Sequence, residues 1–300
     1  MRLRRIKGIL CLTAALFLLV SGCEWIGRLT EAESPSPSEE EPSPTPSPSP
    51  SPEPHIIKIP EGTTIEERFN PPGGFARIPL EAGSFGAFLR GYPLKADGDV
   101  IYLHDGTIKP DDRFDAVLAM EIGPRNFMRN TNLLLRLRGE YHYEAGRFED
   151  IEFHFLSGFL FPFTRWAAGE RIHVDGSRVN WSAPAAQADD SPEALRSYFN
   201  TLFIYTNATA IRQDLMQAAR VEPGYVFLNH GGAVIADMAA DEEGRTAVLL
   251  VRGGDPEQEG YVVRNTGDRE NTPWFIVPQN GILRTPEGDL SAGDLFFFRK

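Results

Sequence analysis

Cysteine is almost missing from this chain of 300 residues, because it occurs only as Cys11 and Cys23. After residue 23 the sequence therefore offers no thiol, no disulfide, no thiolate metal ligand and no cysteine nucleophile. This absence excludes cysteine-dependent hydrolysis, thiol redox chemistry and cysteine-based zinc sites in the chain after residue 23.

Positive charge is also scarce: 30 Lys and Arg stand against 42 Asp and Glu, which gives a formal net charge of −12. Residues 1–22 hold four of the cations and no acid, so removing them leaves −16. Residues 23–54 hold seven Glu and one Arg, so residues 55–300 carry about −10. An acidic surface repels phosphate backbones and anionic lipid headgroups, and we expect no nucleic-acid partner.

The longest uncharged apolar run, ILCLTAALFLLV at residues 9–20, is too short to span a bilayer. Four cations precede it and small residues follow it, which is the pattern of a secretory signal. The next residues, LVSGC, match the lipobox and so resemble a bacterial lipoprotein signal. The alternative is a plain signal peptide with an incidental cysteine. We expect cleavage after residue 22, acylation of Cys23, and anchoring to the bilayer on the extracytoplasmic face of the cell membrane.

Residues 34–54, SPSPSEEEPSPTPSPSPSPEP, alternate Pro and Ser around one acidic block. Such a segment cannot bury apolar surface, and its prolines favour an extended chain. We therefore expect a signal peptide over residues 1–22, a lipidated cysteine with a disordered stalk over 23–54, and a globular domain over 55–300.

Within residues 55–300 the pattern predicts an α+β domain with helices packed on an antiparallel sheet. A helix is expected from about Arg129 to Glu144, another after Ser191 and Pro192, and a third over about Thr209 to Ala219. The runs GYVFLN, GAVIADMA, RTAVLLVRG and GYVVRN then read as strands separated by Gly and Asp turns.

Six aromatic residues lie between Phe153 and Trp166. Two interpretations stay open for them. They form part of the core with one edge strand, or they form the wall of an apolar groove with Arg165 and Trp166 at its rim.

Titratable residues show no spacing that is specific for catalysis or metal binding. Glu140 and Glu144 share one helical face, which we interpret as solvated. His142 and His154 lie on elements that can be neighbours, but no HxH, HExxH or EF-hand pattern is present. We expect neither a metal nor another cofactor.

A series of motifs, in this order, resembles an uncharacterised bacterial lipoprotein family, domain of unknown function 4846. They are RFNPPGGFARI, SFGAFLRGYPLK, LRLRGEYHY, FHFLSGF, RWAAGERI, LRSYFNTLFIYTNATAI, VIADMA, TPWF and GILRTPEGDL, which together cover most of residues 60–300. The resemblance implies a papain-like fold with a cysteine at a helix start, a histidine on a facing strand and a polar third residue. A thiol in that setting would be activated by the helix end and the imidazole.

This sequence departs from that pattern at each position. The cysteine position is Asn130 and the next polar position is Asn132. The histidine position falls on Gly231 or Gly232, and the third position reads Arg252-Gly253. The resemblance thus implies a papain-like site that has lost its nucleophile and its base.

The nearby His230 is either a turn or groove-lining residue or a displaced base, and it has no thiol to activate. We therefore expect no catalytic residue. The predicted function is a non-catalytic binding or scaffolding domain that holds a peptide or peptidoglycan fragment in a cleft. The predicted lining residues of this cleft are Asn130, Asn132, His230, Gly232 and Arg252. The alternative is an active cell-wall peptidase or amidase that uses groups other than cysteine.

Overall fold

The computed structural model describes residues 55–279 and 281–299. The expected signal peptide, Cys23 and the stalk lie outside the described residues. The described helices are α1 (Ile65–Arg68), α2 (Phe85–Arg90), α3 (Asn132–Glu144), α4 (Phe163–Ala167), α5 (Pro192–Tyr205) and α6 (Ala208–Ile211). None of these helices is long and apolar enough to cross a membrane.

The described strands pair only in antiparallel fashion. They are β1 (Ala76–Arg77), β2 (Phe114–Val117), β3 (Glu152–His154), β4 (Leu160–Pro162), β5 (Ile172–Asp175), β6 (Arg178–Trp181), β7 (Leu215–Gln217), β8 (Val226–Phe227), β9 (Ala233–Ala240), β10 (Thr246–Arg252), β11 (Tyr261–Val263), β12 (Trp274–Ile276), β13 (Leu283–Thr285), β14 (Gly288–Leu290) and β15 (Leu295–Phe298). Nine of them form one sheet in the order β2-β11-β10-β9-β8-β15-β7, with β1 also paired to β9 and β12 to β10. The pairs β3–β4, β5–β6 and β13–β14 are separate hairpins. The predicted α+β class is confirmed.

The centre of the sheet is buried on both faces, which explains why β9 and β10 are nearly continuous apolar runs. Val234 and Ala236 of β9 pack in the core that includes α3 and α5. Ala233 and Ile235 point the other way, into a core that includes residues of the β13–β14 hairpin. A strand with two covered faces has no need of polar alternation.

One charged residue interrupts this apolar strand. Asp237 of β9 is fully buried, and its carboxylate accepts hydrogen bonds from Arg77 Nε of β1 and Arg90 Nε of α2, each at 2.7 Å. Arg90 continues to the carbonyl of Ile78 at 3.0 Å. A single carboxylate therefore joins the sheet to β1 and α2, and two guanidinium groups compensate its burial.

The start of α5 was predicted correctly from its capping residues. Ser191 caps α5 by accepting from Ala194 N, with Pro192 at the first helical position, as predicted. The predicted helix over about Thr209 to Ala219 is wrong. The observed helix, α6, ends at Ile211. A 3-10 turn then leads into β7, because Leu215–Gln217 pairs with β15. Tertiary strand pairing outweighed local helix propensity at this point.

The aromatic run belongs to the core. Phe153, Phe155, Phe161 and Phe163 are at most 2% exposed, and Trp166 is also buried. The interpretation of the run as a groove wall is therefore wrong for these five side chains. The Phe161 ring is stacked on that of Tyr198 with centroids 4.7 Å apart, which ties the β3–β4 hairpin to α5.

Candidate functional site

The candidate site lies where the segment before α3 meets the turn before β9 and the end of β10. Asn130 stands two residues before the first residue of α3, and Thr131 is the N-cap. The amide of Asn130 donates to the carbonyl of Gly254 at 2.9 Å. This hydrogen bond ties the start of α3 to the loop that follows β10.

Two residues in the site have a left-handed backbone. Asn130 (φ 48°) and His230 (φ 49°) are the non-glycine residues with positive φ in the described part of the chain. This conformation is uncommon for residues with a Cβ, although Asn and His adopt it more readily than most. Backbone strain of this kind is often found at functional sites. Its occurrence at Asn130 and at His230, the residue next to Gly231, therefore supports this region as the candidate site.

Gly231 is the point at which these segments touch. A Cβ built on it would lie 2.9 Å from Asn130 Oδ1 and 3.2 Å from Arg252 Nη2. The side chains of Asn130 and Arg252 therefore flank the same glycine.

Gly232 is enclosed as well. A Cβ at this position would lie 2.9 Å from Thr131 Cγ2 and 3.1 Å from Leu134 Cδ1, and its φ is 82°. A side chain at position 232 would collide with the start of α3, so glycine is required for this close approach. A histidine could not be accommodated at this position without movement of the helix start.

Arg252 fills the interior of the site. It is 4% exposed, its Nη1 lies 3.2 Å from Glu287 Oε2, and its Nη2 donates to the carbonyl of His230. Tyr261 donates from its hydroxyl to the other oxygen of Glu287 at 3.1 Å, and burial followed by the nearby Glu287 raises the pKa of Tyr261. The guanidinium is thus held in a structural network that joins β10, β11 and the β13–β14 turn.

The remaining two predicted residues face different surroundings. The His230 side chain is exposed at one side, and its ring lies against Gly288, where an added Cβ would be 2.7 Å from His230 Nδ1. Asn132 is 5% exposed and donates to the carbonyls of Phe127 at 3.0 Å and Phe203 at 3.5 Å. The structure therefore brings Asn130, His230, Gly232 and Arg252 together and turns Asn132 into the protein interior.

A larger cavity of 720 Å³, the α3–α5 groove, runs beside the segment that leads to Asn130. Its apolar lining includes Met120, Ile122, Met128, Leu195, Phe199 and Phe203. Its charged lining comprises Glu121, Arg136, Glu140, Glu144, Glu193, Arg196 and Glu257. No sequence pattern predicted this groove, because segments distant in the chain form its lining and no local spacing of residues indicates such a surface.

The interpretation of Glu140 as a solvated residue is wrong. Glu140 accepts from the Tyr92 hydroxyl at 2.9 Å and from Arg136 Nε at 2.7 Å, at the wall of the α3–α5 groove. Glu144 lies on the same wall and is exposed; partial burial and then the charge of Glu140 raise its pKa. With Arg136 and Arg196 paired to glutamates, the groove presents a surplus of negative charge.

Glu257 connects this groove to the start of α3. One carboxylate oxygen accepts from the backbone N–H groups of Phe127 at 2.6 Å and Met128 at 2.8 Å. Burial raises the pKa of Glu257, and these two hydrogen bonds oppose the increase. The segment before Asn130 is therefore fixed from the loop after β10 by both Glu257 and Gly254.

A second cavity, of 160 Å³, lies on the opposite side of α3 and is called the Arg138 cavity. Among its lining residues are Arg138, His142, Asp150, His154, Asp214 and Arg299. His142 and His154, which the sequence left as possible neighbours, thus face one cavity. No group of three or more His, Cys, Asp and Glu residues in the described ranges could hold a metal ion.

His142 should make stability depend on pH. Burial, and then the charge of Arg138, lowers the pKa of His142 to about 4, and Arg147 and Asp150 also act on it. Between about pH 6.5 and 4 the unfolded chain binds the extra proton and the folded chain does not, so stability falls as pH falls. In wild type, the free energy of unfolding should fall by an amount on the order of 2 kcal/mol across this window because of His142. His142→Gln should not show this part of the decrease.

Urea unfolding of wild type, His142→Gln and the exposed-residue control His173→Gln at several pH values measures this difference. Parallel pH curves for wild type and His142→Gln would contradict it.

The fold and the site define an α+β domain in which a glycine turn before a central strand packs on the start of a buried helix. The chain belongs to the family described as domain of unknown function (4846), which it matches over residues 65–296. Neither the curated proteins nor the solved structures gave a match.

Proposed function

We propose that this protein is a lipid-anchored, extracytoplasmic binding protein whose domain holds a peptide or peptidoglycan fragment without cleaving it. The observation that carries the proposal is that the guanidinium of Arg252 is buried and already has protein partners. This guanidinium is paired with Glu287 and donates a hydrogen bond to the His230 carbonyl. It occupies the interior of the region where the family resemblance places the papain-like catalytic residues.

The residues around Arg252 support binding over catalysis. Papain-like chemistry needs a nucleophile at the helix start and a base that faces it. Asn130 has no nucleophilic side chain, Gly232 has no side chain, and the ring of His230 lies on Gly288. We infer that the domain derives from a papain-like hydrolase and has kept the contact between helix and sheet but not the reaction.

The α3–α5 groove is the proposed ligand cleft, and its lining contains none of the five residues that the sequence predicted for a cleft. Its apolar wall suits the aliphatic part of a peptide, and its surplus of negative charge suits a free amine. A volume of 720 Å³ falls within the usual range of ligand sites. A peptide or peptidoglycan fragment that carries an amino group is therefore the ligand class that the groove fits best.

Binding without turnover can be tested with the full chain in detergent micelles and purified fragments of cell-wall peptide. Fragments that bind the folded state should raise the melting temperature, and mass spectrometry should detect no cleavage. Glu144→Lys should weaken the shift because it reverses a groove charge. Glu149→Lys, an exposed position outside the groove, should leave the shift unchanged.

Two results would contradict this proposal. Absence of any shift with all fragments would remove the binding function. Cleavage that is lost in His230→Ala would instead support the alternative of an active hydrolase.

The proposed anchor depends on Cys23, which follows the lipobox residues. In cells supplied with an alkyne-tagged fatty acid, the wild-type chain should carry the label, because the thiol of Cys23 is the proposed point of attachment of the acyl chains. Cys23→Ser should lose the label entirely. Cys11→Ser is the matched control and should keep it. A labelled Cys23→Ser chain would refute the assignment of the anchor to this residue.

A further inference from the structure

Arg138 is a buried cation that forms no ion pair with any described residue. The residue is 9% exposed, and its guanidinium lies 5.0 to 5.4 Å from the ring centroids of Phe85, Tyr141 and Phe298. Its Nε is buried with no hydrogen-bond partner among the described residues. Burial lowers the pKa of Arg138 to about 10, because the charged form is removed from water, and the nearby Asp150 opposes this decrease only in part. Buried polar groups normally have partners, so this one needs an explanation.

His142 presents a second buried nitrogen to the Arg138 cavity. It is 3% exposed, and its Nδ1 has no hydrogen-bond partner among the described residues. The nearest carboxylate oxygen, on Asp150, lies 3.7 Å away. Since Arg138 and His142 are four residues apart in α3, both side chains lie on one helical face. That face of α3 therefore offers hydrogen-bonding capacity that no described residue uses.

The cavity lining outside α3 carries three carboxylates, those of Asp150, Glu152 and Asp214, and one cation, Arg299. Asp214 is held by His154, whose Nδ1 lies 2.5 Å from Oδ1 and whose backbone N–H donates to Oδ2 at 3.1 Å. Asp150 stands next to His142 at the cavity wall. Carboxylates therefore outnumber the one Arg in the lining outside α3, and they share a small cavity with the cation Arg138 of α3, so that one small molecule can contact both charges.

We propose that the Arg138 cavity binds a small zwitterion of the class of free α-amino acids, with its carboxylate on Arg138 and His142 and its ammonium toward Asp150 and Asp214. A volume of 160 Å³ corresponds to about five water molecules, which suits a ligand of about six heavy atoms. Arginine is the side chain best suited to a carboxylate. This site is separate from the α3–α5 groove and does not depend on the function proposed for that groove.

Calorimetric titration of the full chain in detergent micelles tests this site with three probes. Alanine carries both charges, acetate carries only the carboxylate, and alaninamide carries only the ammonium. Alanine should bind, and each single-charge probe should bind about tenfold or more weakly, because each leaves one charged contact unmade. No binding of alanine at about 50 mM, or acetate binding as tightly as alanine, would overturn the proposal.

Variants separate a ligand site from a structural role. Arg138→Met should weaken alanine binding by about tenfold or more and should not lower the melting temperature of the free protein, because Met packs among the same rings without a buried charge. Arg165→Met is the control, since Arg165 lies over Trp181 at 4.6 Å outside this cavity. Unchanged alanine affinity in Arg138→Met would overturn the site.

Asp150→Asn provides an independent test if Arg138→Met fails to fold. Asp150 is one-third exposed, so its replacement should be tolerated. This variant should weaken alanine binding and leave acetate binding unchanged. Equal affinity of wild type and Asp150→Asn for alanine would count against an ammonium contact and would overturn the assignment of a zwitterion.

Discussion

Replacing Asp237 by Asn is expected to lower the free energy of unfolding by about 3–5 kcal/mol. The carboxylate is fully buried between Arg77 and Arg90, both of which donate to it at 2.7 Å. Its loss would leave two largely buried guanidinium groups facing a neutral amide. Urea unfolding of the full chain, followed by tryptophan fluorescence, measures the change.

Glu193→Gln is the matched control for Asp237→Asn. Its partner Arg196 lies at 2.5 Å, but both side chains are about half exposed or more. Exposed ion pairs contribute about 0–1 kcal/mol, so this variant should unfold almost as wild type does. A loss of stability in Asp237→Asn no larger than that of Glu193→Gln would contradict the role given to Asp237.

Replacing Glu287 by Gln is expected to cost about 2–3 kcal/mol of stability. Its side chain is 11% exposed and is the counter-charge of Arg252, whose side chain is 4% exposed. Without it, the guanidinium would keep the neutral carbonyl of His230 as its acceptor among the described residues, and it would have no counter-charge there. The same unfolding experiment measures this loss.

A double variant tests whether the cost arises from the unpaired charge. Arg252→Met combined with Glu287→Met removes both ions, and its stability should exceed that of Glu287→Gln, because a buried pair can be replaced by apolar groups at little cost. Additive losses in the double variant would show that the two side chains do not act as a pair.

The sequence was sufficient for the elements whose signals are local. Ser191 and Pro192 define the start of α5, and the apolar runs around Asp237 and Leu249 locate the central strands. The end of α6 was not predictable in this way, because β7 depends on pairing with β15 about 80 residues away. Local propensity contains no information on such a partner.

The site was predictable only in part, and for a similar reason. The resemblance to the family located Asn130 and the pair Gly231-Gly232, and Gly231 does lie against the side chain of Asn130, while Gly232 lies against Thr131 at the start of α3. Arg138, by contrast, reads in sequence as one more cation on a helix. Its importance comes from the rings of Phe85 and Phe298, which are far from it in the chain and bury it. Periodicity predicts which face is apolar but not which buried charge lacks a partner.

The order of strands in the sheet has a consequence for molecules crowded on a surface. The two longest strands of the described sheet, β9 with 8 residues and β10 with 7, are internal, whereas the path ends in β2 with 4 residues and β7 with 3. Long exposed edge strands act as templates for pairing between chains, and short ones do not. Where the proposed acyl anchor brings copies side by side, the described sheet would therefore present few free backbone groups for edge-to-edge aggregation.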